Sequence, residues 1–523
     1  MPLSVLIWLP VAMALIGAML GARLAPRIAL LGALATLGIA IALLVDFERG
    51  TAGLQHLTDE TWISELGIHY KRGIDGLNIA LIVLTALLWA SAVLWANLLP
   101  WERPRLFFFQ LALGETAVLG AFCAQDLALF VGFFDLMLIP FYFLTGAWGG
   151  PDRIRATTKL VIYTLVGSLF MLAAAVATAV LARPPDGELT FVLSELRQLP
   201  LSDGSQNWIF LCFAAAFLVK MPAFPLHGWA PDAYRAMPLP VLAVFSAVLS
   251  KVAAYGFLRI VLPTFPDASV HFQTLLLLIG LASILYGSAM AFTQTNARLI
   301  LAYSSIAQLG FIVLGIFSLR PEGAQGALFQ AVNHGLVVAP LFFIVALLAA
   351  RAGGSEDIRD MGGIALRAPV LAAMFLIVAL ATLAMPGSAN FVGEFLILLG
   401  VFQTKIVIAI VAFTGVVLAA VYVLRAFIRM MHNRVGKDVV SAEMSFSDGL
   451  VLVPLVLVII GLSLYPQIVL ERSEAAVTGY VKPAQEIAKP PEAPAVPASQ
   501  PVPGGAVPPN QGGAPPVQQG STP

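Results

Sequence analysis

Six ionisable side chains stand in stretches otherwise greasy enough for hydrocarbon: Glu115 in LALGETAVLG, Asp135 in FVGFFDLMLIPFYF, Lys220 in FLVKMPAFP, Lys251 in AVLSKVAAYG, His334 in FQAVNHGLVV and Glu394 in NFVGEFLILLG. A charge at the centre of a bilayer costs roughly 2.5–3.5 kcal/mol on insertion scales, so each such residue asks for a reason. Taken singly, a carboxylate can pair with a helix neighbour and a histidine can be a satisfied core residue. Acid, amine and imidazole spread over neighbouring helices are what a proton relay needs, because each can take up and release a proton. The Asp135 and Lys220 pair is the most specific. Burial disfavours an ammonium and a nearby carboxylate favours it. Two charges about 4 Å apart attract by roughly 4 kcal/mol at an effective dielectric of about 20. Driving one proton across about 100 mV takes about 2.3 kcal/mol, so opening and closing this pair is a large enough switch.

The element that must hold Lys220 is unusual. Pro222, Pro225, Pro231, Pro238 and Pro240 lie between Lys220 and Lys251, and the first two interrupt a helix near mid-membrane. A break there leaves backbone carbonyls unpaired, which is tolerated only where protein or water covers them. Leu218-Val-Lys-Met-Pro222 has a counterpart in Leu383-Ala-Met-Pro-Gly387, and each break falls in the fourth helix of a run of five. Paired interrupted helices at corresponding positions point to an inverted-repeat transporter with its site at the midplane.

The wider chain fits that setting. Hydrophobic residues make up 59% and charged residues 11%, which excludes an ordinary soluble domain. The pattern predicts an all-α polytopic membrane protein of about fourteen transmembrane helices, near 3–20, 28–46, 77–98, 106–124, 127–148, 157–182, 208–237 (broken), 239–262, 272–292, 299–317, 326–350, 369–403 (broken), 405–430 and 450–469. The first lacks a basic leader and reads as a retained helix. The loops Asp46–Gly76 and Arg183–Asn207 are long and mixed polar, with short surface structure expected in both. Loops after odd-numbered spans hold most of the Lys and Arg, among them Arg153, Arg155, Lys159, Arg235, Arg298, Arg351, Arg359 and Arg429, which places them in the cytoplasm and both termini on the outer side. Net charge is zero, so no acidic or basic partner can be argued from charge balance, and no nucleic acid is expected. Cys123 and Cys212 read as lone buried thiols, with no metal site or disulfide. Beyond Lys482 the composition turns to Pro, Gly, Ala and Gln and predicts a disordered tail.

FFDLMLIPFYFLTGAWGG (133–150), LVKMPAFPLHGWAPDAY (218–234), LILAYSSIAQLGF (299–311) and MPGSANFVGEF (385–395) carry a resemblance to the antiporter-like membrane subunits of respiratory NADH:quinone oxidoreductase. MPGSANFVGEF favours the subunit M (complex I chain 4) branch. The resemblance runs from Leu106 to Met431 and implies fourteen core helices, two inverted five-helix repeats and one proton channel. It divides the chain into N-terminal helices 1–3 (1–105), a first repeat (106–262), a second repeat (272–431), a last helix (450–469) and the tail (483–523). By that likeness Lys220 matches the broken-helix lysine, Lys251 the connecting lysine, His334 a channel histidine and Glu394 the acid at the exit of the second half-channel. Asp135 takes the place of the fifth-span glutamate, one methylene or about 1.5 Å shorter, and Glu115 resembles a fourth-span glutamate. Gln308 stands where histidine is common and cannot change protonation, so it reads as a hydrogen-bonding channel lining. Tyr234 also replaces a common histidine.

The resemblance implies a proton-translocating subunit in a bacterial inner membrane, partnered by the lipid bilayer and by antiporter-like and small membrane subunits. It implies no cofactor in this chain, with NADH, FMN, iron–sulfur clusters and quinone bound in other subunits. The alternative is a subunit of a multisubunit cation/proton antiporter or a membrane-bound hydrogenase. Subunit L carries a long lateral amphipathic helix after its core. One span and a tail at the end of this chain argue against that branch.

Overall fold

The computed structural model describes residues 3–185, 187–488 and 520. Backbone in hydrocarbon has no water to bond, so a long apolar run closes its own hydrogen bonds as a helix. Among the described residues twelve helices are long and apolar enough to cross a membrane, from Leu3–Leu20 to Phe446–Leu464. The two breaks read from proline fall where expected. Asp203–Lys220 stops at Met221-Pro222 and the chain resumes as Ala230–Ala236; Pro369–Ala381 is followed, after Thr382–Ser388, by Ala389–Phe402.

Two further irregularities had no expectation. The span 127–148 is divided at Met137 into Leu127–Leu136 and Leu138–Trp148. The Leu239–Thr264 segment, buried along its length, is interrupted by π-turns at Phe245–Leu249 and Phe257–Val261. It lies against Pro321–Arg351, the hub on which Ile79–Asn97, Ala297–Phe317, Ala389–Phe402 and Phe446–Leu464 also pack. Close approach elsewhere needs small residues: a Cβ on Gly310 would come within 2.6 Å of the Gly280 carbonyl oxygen, so Gln273–Thr293 and Ala297–Phe317 meet backbone to backbone there.

The connecting segments sort onto two faces. On one, Gly150 N–H bonds the Ala236 carbonyl, Ala297 N–H bonds Glu356 and Gly363 N–H bonds His432. Arg298 joins the same face through Met237 O at 2.7 Å and an ion pair with Glu356. On the other, Phe191 bonds Gly67, Leu127 bonds Phe191 and Gln125 bonds Lys71. The 46–76 segment there folds into two small antiparallel pairs, Gln55–Thr58 with Arg72–Ile74 and Thr61–Ile63 with Ile68–His69.

The end of the chain corrects the sequence reading. The last membrane helix is Phe446–Leu464, and a further helix, Gln467–Ala488, follows it. Val469, Arg472, Ser473, Ala476, Val477, Val481 and Ala484 form its buried stripe, mostly apolar or small, with Glu474, Lys482 and Glu486 outside. This 3–4 spacing makes an amphipathic helix, about 33 Å long at 1.5 Å per residue. It lies on Pro321–Arg351, on the C-terminal end of the Leu239–Thr264 segment and on the short Pro266–His271 helix. Residues 483–488, assigned to the tail by composition, are therefore helical, because docking an apolar stripe outweighs one proline. The rest of that expected tail, apart from residue 520, lies outside the described residues. An amphipathic helix thus follows the last span here too, so the end of the chain does not by itself set it apart from the subunit L branch. Cys212 is half-buried rather than buried; Cys123 is buried, and both are free.

Candidate proton-relay site

Lys220 ends its helix at the break, 5% exposed. Its Nζ lies 4.6 Å from the centroid of the Phe134 ring, a cation–π contact. The expected ion pair with Asp135 is not formed: the ammonium lies over the ring instead. Asp135 is near enough for a Coulombic interaction and lies beside Ser168, but its Oδ1 has no hydrogen-bond partner. Phe134, the residue before it, takes the place opposite the ammonium. A small cavity, with room for about one water, touches Lys220, Pro222, Thr164, Trp229, Tyr234 and Ser250. Tyr234 thus lines the approach to Lys220, where a histidine was the common residue.

Lys251 is fully buried, and its Nζ donates to Ser246 O at 3.0 Å and meets His334 Nδ1 at 2.8 Å. The π-turn explains the first contact. It diverts the local backbone bonding and turns the Ser246 carbonyl toward a side chain five residues on. The second joins the Leu239–Thr264 segment to the Pro321–Arg351 hub at the heart of the molecule.

One turn before His334 on the hub, Gln330 Nε2 donates to Gln308 Oε1 at 2.7 Å. Gln308 lies beside Glu394, which is 1% exposed and has neither oxygen in a well-formed hydrogen bond. Gly393 makes the room: a Cβ there would fall 2.5 Å from Gln330 Oε1. Asn333 Nδ2 bonds Ala389 O at 2.9 Å and Asn390 Nδ2 bonds Thr382 O at 3.1 Å, so amides tie off the second helix break. A second narrow cavity, lined by Ala297, Ser304, Thr382, Tyr422, Ala426 and Met430, reaches this break. Ser304 and Tyr422 share a 3.0 Å hydrogen bond within it.

The structure thus brings Lys251 onto His334, Gln308 onto Gln330 and Glu394, and Asp135 near Lys220, three polar groupings on neighbouring helices. Glu115 stands apart: it is 1% exposed, Oε1 has no partner, and no ion pair reaches it among the described residues. Sequence reading missed Gln330, Asn333, Asn390 and Ser246. Gln330 was findable, because it lies four residues before His334 and so on the same helix face. The Ser246 carbonyl was not, since a π-turn leaves no side-chain signature. His227, in the first break, was also passed over; it stacks on Phe224, meets the Tyr286 ring at a tilt of 54°, and its Nδ1 has no partner.

Residues 124–419 match the family model described as NADH:quinone oxidoreductase/Mrp antiporter, transmembrane. The chain is 36% identical to NADH-quinone oxidoreductase subunit M of Escherichia coli over 463 residues, 85% of this chain and 91% of that one. It superposes on a chain of respiratory complex I from Thermus thermophilus with a TM-score of 0.84 at 31% identity, covering 92% of this chain and 99% of that one. A chain of the Mrp complex from Dietzia sp. has the same fold, with a TM-score of 0.79 at 20% identity over 93% and 98% of the two chains. The broken helices, the buried lysines and these likenesses agree: the chain belongs to the NADH:quinone oxidoreductase/Mrp antiporter transmembrane family.

Proposed function

We propose that the chain works as the antiporter-like subunit M of a bacterial NADH:quinone oxidoreductase, carrying protons along Asp135, Lys220, Lys251, His334 and Glu394. The observation that carries this reading is the Lys251–His334 contact of 2.8 Å, buried where the two halves of the molecule meet. Nδ1 can accept a proton from the ammonium while the opposite ring nitrogen gives one up, so the ring passes a proton without moving far. Gln308 and Gln330 cannot titrate; they orient the water that must bridge from His334 to Glu394, whose oxygens lack firm protein partners.

At the other end, Lys220 rests over Phe134 rather than on Asp135. In this reading that is the open state of the switch, and a shift of the Leu127–Leu136 helix about its interruption at Met137 closes it. The redox chemistry belongs to other subunits, which hold NADH, FMN, iron–sulfur clusters and quinone, and this chain partners their membrane neighbours. Ten of the fourteen passes form two inverted repeats, 106–262 and 272–431. The chain sits in the inner membrane with both termini outside. Supporting that orientation, the face joined by Arg298 and Glu356 also carries Arg153, Arg235, Arg359 and Arg429. The likeness to the Mrp complex is one of fold and does not favour a separate cation/proton antiporter.

The test uses vesicles holding the assembled complex. Lys220→Met should copurify with NADH:quinone reductase yet abolish NADH-driven acidification. Unchanged translocation would overturn the relay.

A further inference from the structure

The helix segment bearing Lys251 is anchored at its far end by a buried cluster that the relay does not use. Arg259 Nη2 donates to Asp75 Oδ1 at 2.7 Å, with both side chains fully buried. Arg259 Nε donates to the Tyr255 hydroxyl at 2.9 Å, and Nη1 donates to the Tyr480 hydroxyl. Tyr480 in turn donates to Asp75 Oδ2 at 2.9 Å. Arg197 closes the group, with its guanidinium 4.6 Å from the Tyr480 ring centroid and one nitrogen on the Arg259 carbonyl at 2.8 Å. Asp75 precedes the Ile79–Asn97 helix, and Tyr480 belongs to the C-terminal Gln467–Ala488 helix. Three distant parts of the chain therefore meet on one arginine.

The position of that arginine gives the cluster its meaning. Ser250–Gly256, the seven residues that carry Lys251, lie between the two π-turns, and Arg259 sits in the second. A π-turn has alternative backbone partners close at hand, so a segment held between two of them can slip or rotate cheaply unless one end is fixed. Its near end is tied by Lys251 itself, to Ser246 and His334. Its far end is tied by Arg259. Packing leaves little slack between: a Cβ on Gly256 would fall 2.5 Å from the Phe217 ring, one turn before Lys220.

We propose that Arg259 is a positioning residue for Lys251, and that the C-terminal helix, through Tyr480, sets where the relay lysine stands relative to His334. This rests on the relay reading of Lys251. A buried ion pair that only stabilised the fold could be anywhere; this one is aimed at the hinge beside the relay amine. The charged and titratable groups around Arg259 are Asp75, Tyr255, Tyr480 and Arg197; His334 is the one in contact with Lys251.

The experiment compares Arg259→Lys and Tyr480→Phe in the full complex in vesicles, reading NADH-driven proton translocation per assembled complex across a range of pH. Arg259→Lys keeps a charge for Asp75 and loses the fork, and should lower the rate about tenfold. Tyr480→Phe deletes one hydroxyl and should lower it about threefold. Both should move the pH profile in the same direction, by about half a unit, because the amine is displaced from its imidazole partner. A profile that keeps its midpoint, whether scaled down with the amount of complex or unchanged, overturns the proposal. If Arg259→Lys does not assemble, Tyr480→Phe decides alone. Lys251→Met separates the two ideas: if it pumps normally, the relay reading itself fails, whatever Arg259 does.

Discussion

The two helix breaks solve one problem with different chemistry. At the first, Lys220 carries a charge in a nearly apolar place, over an aromatic ring, with its acid close but not in contact. At the second, Glu394 is surrounded by amides: Gln308 and Gln330 bonded to each other, with Asn333 and Asn390 holding the broken backbone. A charge beside few dipoles responds strongly to a small movement of its counter-charge, because little else screens it. A carboxyl among fixed amides responds less to movement and more to the water those amides orient. On the proposed relay, the first break is the switch and the second the conduit, joined by the Lys251–His334 contact.

The largest expected effect is at Glu394, because the titratable group beside it, the Tyr422 phenol, cannot stand in for a carboxyl near neutral pH. Glu394→Gln should lower proton translocation per assembled complex by about a hundredfold or more, while Asp135→Asn should cost about tenfold, since Lys220 remains. Equal losses in the same vesicle assay would dissolve the distinction between switch and conduit. A smaller effect sharpens it. Gln330→Leu strands the Gln308 amide, at about 1–3 kcal/mol, and should lower the melting temperature of the purified complex along with the rate. Gln308→His keeps a hydrogen-bonding group there and should retain most activity; a Gln308→His complex as slow as Gln330→Leu would refute the lining role.

The smallest effect lies outside the membrane, in the loop that caps the second broken helix. Burial opposes ionisation of Glu443, but the backbone N–H groups of Met444, Val370 and Leu371 outweigh it and hold the carboxyl below its ordinary value. A lowered folded value means its stabilisation is present above the unfolded value of about 4.3 and is lost as pH falls through the folded one. Glu443→Gln should therefore destabilise the complex by at most about 1 kcal/mol at neutral pH, solvent screening keeping it small, and by less near pH 3. A thermal melt that shows the same deficit at both would remove the charge from the explanation.

How much of this was legible varies by element. Lys220, Lys251, His334 and Glu394 announced themselves because an ionisable group in an apolar run is expensive, and both breaks because Pro222 and Pro386 cannot continue a helix. The C-terminal helix was hidden by its own composition: Lys482-Pro483 reads as an ending, while the faint apolar stripe from Val469 to Ala484 carries the helical signal. Arg259 escaped notice beside louder neighbours, although it too lies in a buried span.

What residue types and spacing determined here is the inventory: how many apolar runs, which of them break, and which carry a proton-bearing group. Those follow from one-dimensional costs, the transfer of a charge or an unpaired carbonyl into oil. The tertiary structure alone decided who touches whom. His334 meets Lys251 across two helices, Phe134 rather than Asp135 meets Lys220, and a helix two hundred residues downstream reaches Arg259. Helices apolar on every side can pack in many registers at similar energy. The choice among them falls to a few buried polar contacts, and their partners are known only once the chain has closed on itself.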